Sequence, residues 1–191
     1  MNKKTIVLAS KSPRRSELLK QIGMEFEVLV SDVDENIEAA SPAEYVMELS
    51  KIKATAVYEE LDDKDVLVIG ADTVVVHNDK ILGKPKDYED CVNTLKSLSG
   101  DVHEVMTGVT LIDVTENVPV YHTFYETTKV QMYDISEEEI IEYSNSHEPD
   151  DKAGSYAVQG LGAKFIKKID GDYNNVVGLP ISAIYQKMKE R

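Results

Sequence analysis

A short polar turn near the start of the chain carries residues well suited to binding an anion. Within residues 9–15 lie two hydroxyl side chains, Ser10 and Ser12, and two guanidinium side chains, Arg14 and Arg15. If a helix begins at Ser12, both arginines fall in its first turn, where the helix dipole disfavours a cation by about 0.3–1 kcal/mol. Exposed backbone N–H groups and guanidinium groups at a helix N-terminus favour an oxygen-rich anion such as a polyphosphate. The alternative is a solvated basic patch.

Two acidic residues are suited to general-base or metal chemistry. Asp72 follows the most hydrophobic stretch of the chain, and burying an unpaired carboxylate costs several kcal/mol. Asp72 is therefore paired with a metal or a cation, or it lies where the strand opens into a cleft; the structural alternative is an aspartate that caps a turn. Glu35 ends an acidic run after a second strand candidate. It either supplies a carboxylate to a divalent ion or belongs to a solvated loop.

Two lysines and one loop complete the set of candidates. Lys53 lies next to the apolar stripe of a long helix, where the ordinary role of a lysine is to extend along the surface. Lys84, held between Gly83 and Pro85, is either a substrate clamp or a turn residue. Residues 148–162 form a long loop of mixed glycine, charged and amide residues, and such loops are often functional.

Composition limits the class of protein and its partners. The chain has 191 residues, 42% hydrophobic and 29% charged, which is typical of a globular protein. A formal net charge of −14 argues against binding nucleic acid or anionic membranes. The single cysteine excludes an internal disulfide, and no apolar run approaches the roughly 18 residues of a membrane span. The first apolar run is too short for a secretory signal, so we expect a cytoplasmic protein.

Helix and strand patterns alternate along the chain and predict an α/β fold with a mixed, twisted β-sheet flanked by helices, in one domain over residues 1–191. Strands are predicted at 5–9, 26–30, 66–71, 102–114, 118–133 and 165–169, and helices at 12–22, 41–61, 87–98, 136–143 and 181–189. The strands at 102–114 and 118–133 read as a hairpin with a turn at 115–117. The turn at Ser10 and Asp72 both lie at strand ends, where open α/β sheets usually bind ligands.

Five segments, in the order in which they occur, resemble the motifs of the Maf nucleotide pyrophosphatases. They are residues 10–15, 71–75, 83–85, 151–160 and 175–180, and the resemblance extends over essentially the whole chain. It implies hydrolysis of a nucleoside triphosphate to the monophosphate and pyrophosphate with a divalent cation, Mg²⁺ or Mn²⁺. It also implies a cytoplasmic homodimer and a fold similar to that of the inosine triphosphate pyrophosphatases.

The same resemblance implies a substrate class. Ala71-Asp72-Thr73 matches the branch that acts on dTTP and UTP, whereas the branch that prefers 7-methyl-GTP has Ser-Asp-Gln at this place. In the dTTP/UTP branch, the residues that bear on substrate choice match Arg14, Thr73 and Gln159. The implied role is removal of canonical or modified pyrimidine nucleotides from the nucleotide pool.

The motif chemistry and the resemblance together give one set of expected roles. Asp72 accepts the proton of the attacking water, and Glu35 and Asp72 approach the metal. The other catalytic residues are Lys53 and Lys84. The substrate-binding residues are Ser10, Ser12, Arg14, Arg15, Thr73 and Gln159, and the Gln159 amide could read the O and N–H edge of a pyrimidine. The rival interpretation is a nucleotide-binding regulator of cell division or septation without significant turnover.

Overall fold

The computed structural model describes residues 4–115 and 118–190. The described chain forms two compact units. The first contains the residues up to Asp72, Thr107–Glu126 and those from Gly178 onward; the second contains Thr73–Met106 and Thr127–Val177. That these units make up one domain stays a prediction.

The fold is α/β with a mixed sheet and helices, as predicted; in the described residues the sheet has seven strands, of which the strand at Lys80–Leu82 was not predicted. The strands are β1 (Thr5–Ala9), β2 (Glu27–Val28), β3 (Val66–His77), β4 (Lys80–Leu82), β5 (Val102–Thr115), β6 (Val118–Met132) and β7 (Ile166–Asp170). The helices are α1 (Pro13–Gln21), α2 (Pro42–Glu60), α3 (Tyr88–Leu98), α4 (Glu137–Ser144), α5 (Tyr173–Val177) and α6 (Ile181–Lys189).

The sheet has the order β2-β1-β3-β5-β6-β7, and β4 pairs with β3 off this path. Strand β1 runs parallel to β2 and to β3, whereas β4 is antiparallel to β3 and β7 is antiparallel to β6. Parallel neighbours bring the carboxyl ends of β1 and the first half of β3 to one edge, which is where the Ser10 turn and Asp72 follow.

Helix α2 packs unusually close to the strands of the first unit. A Cβ atom at Gly70 of β3 would lie 2.5 Å from the Ser50 carbonyl oxygen, and one at Gly108 of β5 would lie 2.2 Å from the Val46 carbonyl oxygen. Only glycine permits such an approach without displacing the helix backbone. This contact fixes the height of α2 against β3, and with it the position of Lys53, three residues beyond Ser50.

The core of the second unit is built mainly by α3, α4 and the strands that they cover. Its buried side chains include Leu95, Leu98, Val130, Tyr143 and Phe165. Three short 3-10 helices lie between α4 and β7, at Pro149–Asp151, Ala153–Ser155 and Leu161–Phe165. The segment predicted as a loop at 148–162 is thus mostly ordered into single turns.

The structure corrects three details of the sequence-based elements. Strand β3 does not end at Ala71 but continues through Asp72 to His77, because the valines that follow are buried and pair with β4. The second strand is only two residues long, and a short helix, α5, occupies part of the segment before Pro180. In the predicted turn at 115–117, Glu116 and Asn117 lie outside the described residues. Among the helices that are described, none has the length and apolar character needed to cross a membrane.

Candidate functional site

A triad of charges lies in the first unit where α2 faces the end of its β3 segment. The Lys53 Nζ atom is 2.7 Å from Asp72 Oδ1 and 2.9 Å from Glu35 Oε1. Asp72 is buried, with 8% of its surface exposed, while the Glu35 side chain is 60% exposed. The prediction that Asp72 pairs with a cation or a metal is therefore met by Lys53, and two carboxylates converge on one ammonium group.

Tyr45 is a neighbour of this triad that the sequence did not single out. Its hydroxyl donates a 3.4 Å hydrogen bond to the Glu35 carbonyl oxygen. Burial raises the pKa of Tyr45, and the charges of Asp72 and Glu35 add to that rise while Lys53 opposes it. Tyr45 precedes Lys53 by eight residues, about two helical turns, so helical spacing from Lys53 along α2 is the signal that would have identified it.

The turn between β1 and α1 is organised by Arg15. Its guanidinium donates to the carbonyl oxygens of Ala71 and Gly178, each at 2.9 Å, and to Ser10 Oγ at 3.1 Å. Burial lowers the pKa of Arg15, an effect that the Asp72 charge partly offsets and the Arg14 charge increases. Arg15 thus ties the start of α1 to the residue immediately before Asp72.

Ser10 accepts a second hydrogen bond, from the Ser12 backbone N–H at 3.2 Å. A hydroxyl has two acceptor lone pairs and one donor hydrogen. With both lone pairs engaged by Arg15 and Ser12, the Ser10 hydroxyl can act towards a ligand only as a donor, which suits a phosphate oxygen. Ser12 is at the N-cap position as predicted, but its hydroxyl makes no capping hydrogen bond to α1. Arg14 is half-buried in the first turn of the same helix.

The remaining predicted residues belong to the second unit. Thr73 lies on β3 and is partly buried; Lys84 and Gln159 are exposed. The Lys84 turn and the loop that carries Gln159 are joined by a hydrogen bond of 3.0 Å from the Gly154 N–H to the Gly83 carbonyl oxygen. The structure therefore brings together Ser10, Arg15, Glu35, Lys53 and Asp72 in one unit, and it links the segments of Lys84 and Gln159 in the other.

The oxygen ligands of the first unit are compatible with a hard divalent cation whose coordination shell is completed by the substrate. No group of three or more His, Cys, Asp or Glu side chains capable of holding a metal occurs among residues 4–115 and 118–190. Magnesium is commonly bound by one or two carboxylates together with water and substrate phosphates, rather than by an all-protein cage. Asp72 and Glu35, which already share one cation, are the two carboxylates that fit this pattern.

A strand-to-helix turn rich in hydrogen-bond donors lies beside a pair of carboxylates on an α/β sheet, and this is an arrangement suited to a phosphorylated ligand. The chain belongs to the Maf-like protein family, whose family model matches residues 5–191.

The chain is similar over nearly its whole length to several curated proteins. It is 50% identical to the dTTP/UTP pyrophosphatase of Agathobacter rectalis, covering 97% of this chain and 96% of that protein. It is 48% identical to the dTTP/UTP pyrophosphatase of Bacillus cereus, covering 99% of this chain and 91% of that protein. The fold is similar to that of the Ham1 protein of Staphylococcus aureus, with a TM-score of 0.57 and 15% identity over 98% of this chain and 99% of that one.

Proposed function

We propose that this chain hydrolyses dTTP and UTP to the nucleoside monophosphate and pyrophosphate, with a divalent cation. The observation that carries the proposal is the convergence of Asp72 and Glu35 on Lys53, in the unit where Ser10 and the start of α1 form an anion-binding turn. The names of relatives that are about half identical over nearly the whole chain support the same reaction and substrates.

In the proposed reaction, Asp72 accepts a proton from the attacking water. A new P–O bond forms to the water oxygen, and a P–O bond of the bridge between the α- and β-phosphates breaks, so that pyrophosphate leaves. The Lys53 ammonium donates a 2.7 Å hydrogen bond from Nζ to Asp72 Oδ1. This bond keeps the Asp72 carboxylate oriented as a general base. The Ser10 hydroxyl and the N–H groups of α1 donate to phosphate oxygens, as do Arg14 and Arg15. These fixed donors stabilise the charge that develops on the leaving group.

Asp72 and Glu35 are the residues that would hold Mg²⁺ or Mn²⁺. When bound, such an ion neutralises phosphate charge and favours departure of pyrophosphate. Because Lys53 occupies the position between the two carboxylates, it also limits their mutual repulsion when no cation is present.

Base preference is proposed for Thr73 and Gln159, with Arg14 contributing from the phosphate side. A primary amide presents both a donor and an acceptor, which matches the O4 and N3–H edge shared by uracil and thymine. Lys84 is proposed as a further catalytic cation. Modified pyrimidine triphosphates that retain this edge are substrates under the same proposal.

We further propose that the protein works as a homodimer in the cytoplasm. Support comes from the family resemblance and from apolar side chains exposed along β6, namely Val118, Val120, Tyr121 and Tyr125. Light scattering coupled to size-exclusion chromatography measures the mass directly.

An Asp72→Asn variant tests the proposed reaction. The amide cannot accept the proton of water, so we expect pyrophosphate release from UTP to fall at least about 100-fold while nucleotide binding stays measurable by calorimetry. Asp62→Asn, an exposed carboxylate after α2, is the matched control and should behave as the wild type. Wild-type turnover in Asp72→Asn contradicts the assigned base. A wild type that binds nucleotides without turning any over supports the regulator instead.

A further inference from the structure

The loop that carries Gln159 is closed by a single carboxylate, that of Glu148. Glu148 Oε2 accepts a 2.8 Å hydrogen bond from the Leu161 N–H, and Oε1 accepts 2.9 Å hydrogen bonds from the Gly162 N–H and from the Tyr143 hydroxyl. The first residue of the loop is thus bonded to its last two. Hydrogen bonds between the two ends of the loop therefore add to packing in fixing its conformation.

Tyr143 extends this closure to the other side of Gln159. Its hydroxyl accepts a 3.1 Å hydrogen bond from the Ala157 N–H, and its ring is buried edge-to-face against Phe165 at a centroid distance of 5.3 Å. Gln159 lies two residues after Ala157 and two before Leu161. Both flanks of Gln159 are therefore tied to one hydrogen-bonded Tyr–Glu pair, while Gln159 itself is exposed.

Gly160 shows how tightly the loop surrounds the carboxylate. Its φ is +103°, a conformation that favours glycine, and a Cβ atom there would lie 2.4 Å from Glu148 Oε2. A side chain at this position would displace the acceptor that bonds the Leu161 N–H. The residue directly after Gln159 is thus fixed by the same carboxylate.

The closure also depends on charge. Burial alone would raise the pKa of Glu148, but hydrogen bonds from Leu161, Gly162 and Tyr143 outweigh it and hold the pKa below its ordinary value. The three donors therefore favour an ionised carboxylate at neutral pH, and hydrogen bonds to an ionised acceptor are stronger than those between neutral groups.

We propose that Glu148 is a positioning residue for base recognition: its carboxylate fixes the backbone around Gln159 so that the amide meets the pyrimidine edge in one orientation. The inference rests on the proposed function, because it assumes that Gln159 reads the base. Glu148 acts through the loop and takes no part in the cleavage of the phosphate bridge.

The test compares four proteins, wild type, Glu148→Gln, Gln159→Ala and Glu142→Gln, in steady-state pyrophosphate release from UTP and CTP. Glu148→Gln keeps the shape of the side chain but turns an amide NH2 towards backbone N–H donors. We expect KM for UTP to rise about tenfold, kcat to stay within about twofold, and the UTP-to-CTP ratio of kcat/KM to fall towards that of Gln159→Ala. Glu142→Gln removes the same charge from an exposed position of α4 and should match the wild type.

A second measurement separates loop order from global stability. Amide hydrogen exchange at Leu161 and Gly162 should accelerate in Glu148→Gln, while the amides of α3 stay protected. If Glu148→Gln fails to fold, Tyr143→Phe removes one donor to the carboxylate and the acceptor of the Ala157 N–H while leaving the ring in the core. It should produce the same rise in KM and the same loss of selectivity.

The outcomes distinguish this inference from the proposed function. A preference for UTP over CTP that Gln159→Ala loses but Glu148→Gln and Tyr143→Phe retain overturns the inference and leaves the proposed function standing. A loss of kcat with unchanged KM overturns it as well, because it would place Glu148 in the chemical step. A wild type that hydrolyses UTP and CTP equally well overturns the inference together with the base-reading role proposed for Gln159, whereas a wild type that hydrolyses no nucleotide overturns the proposed function itself.

Discussion

The two units hold their key carboxylates in opposite ways. In the first unit, Asp72 and Glu35 both form ion pairs with a single side-chain group, the ammonium of Lys53. In the second, the Glu148 carboxylate is bonded by two backbone N–H groups and a tyrosine hydroxyl. A lysine side chain can yield to a metal or a phosphate, whereas backbone donors stay in place. The first arrangement leaves the carboxylates able to act on a ligand, whereas the second uses the carboxylate to hold the backbone of a loop in place.

Replacing Lys53 by methionine should have the largest effect on the first unit. The change removes the only charge that joins Glu35 to Asp72 among the described ion pairs, and it leaves the buried Asp72 carboxylate without that partner. We expect kcat for UTP to fall about 100-fold, the usual cost of removing one electrostatic element of an active site. Pyrophosphate release is the measurement. Lys51→Met, exposed on the same helix, is the control, and wild-type turnover in Lys53→Met would contradict the role of the triad.

Acidification should destabilise the second unit through His103. His103 Nε2 is 2.7 Å from the Tyr156 hydroxyl, and burial, with a smaller contribution from His77, lowers the pKa of His103 from 6.5 to about 4. Since the unfolded state binds the proton more readily, the stability from neutral His103 is complete above pH 6.5 and is lost as the pH falls towards 4. Between pH 7 and pH 5 we expect a loss of about 2 kcal/mol in the free energy of unfolding.

Denaturant titrations at both pH values measure this loss. A His103→Asn variant should be less stable at pH 7 but should lack about 2 kcal/mol of the pH dependence. His122→Asn, at an exposed position of β6, should retain it. An identical pH dependence in all three proteins would show that His103 is protonated equally in the folded and unfolded states.

Substituting Gly160 by alanine should disturb the loop without touching the first unit. The new Cβ meets Glu148 Oε2 at a position where φ is +103°. We expect KM for UTP to rise about tenfold with little change in kcat, because substrate positioning is lost and the general base is untouched. Gly23→Ala is a matched control, since its φ is +72° but its Cβ would meet no atom within 4 Å. Wild-type kinetics in Gly160→Ala would contradict the role of the Glu148 contact.

Neutralising Glu35 should have the smallest effect on stability and a clear effect on metal dependence. An ion pair with a carboxylate that is 60% exposed contributes little, so Glu35→Gln should change the free energy of unfolding by less than about 1 kcal/mol. The Mg²⁺ concentration for half-maximal activity should rise several-fold, about 3- to 10-fold, through loss of one ligand. A Mg²⁺ titration of activity measures it, with Glu38→Gln as the exposed control. An unchanged titration would exclude Glu35 as a ligand.

Much of the fold could be predicted because the sequence patterns are local. Valine-rich runs, the Ser41 and Ser136 caps and the glycines after α1 and α3 mark most elements correctly. The need of Asp72 for a partner also followed from its apolar surroundings. The continuation of β3 through Asp72 did not, because the ion pair that makes it tolerable comes from a residue on α2.

The role of Glu148 was beyond sequence reasoning for a similar reason. Its three donors, Tyr143, Leu161 and Gly162, are separated along the chain by the very loop that they close. An acid at the first position of a glycine-rich loop was visible, but its acceptor geometry depends on the positive φ of Gly160. The alternation of apolar and polar residues along β6 likewise could not show which of its apolar side chains are exposed and which belong to the core.

The most direct test of the proposed hydrolysis is pyrophosphate release from a panel of nucleoside triphosphates, with Mg²⁺, with Mn²⁺ and with a chelator. We expect metal-dependent release that is strongest with dTTP and UTP and absent when the metal is chelated. Undiminished release in the presence of the chelator, or release that is strongest with purine triphosphates, would contradict it.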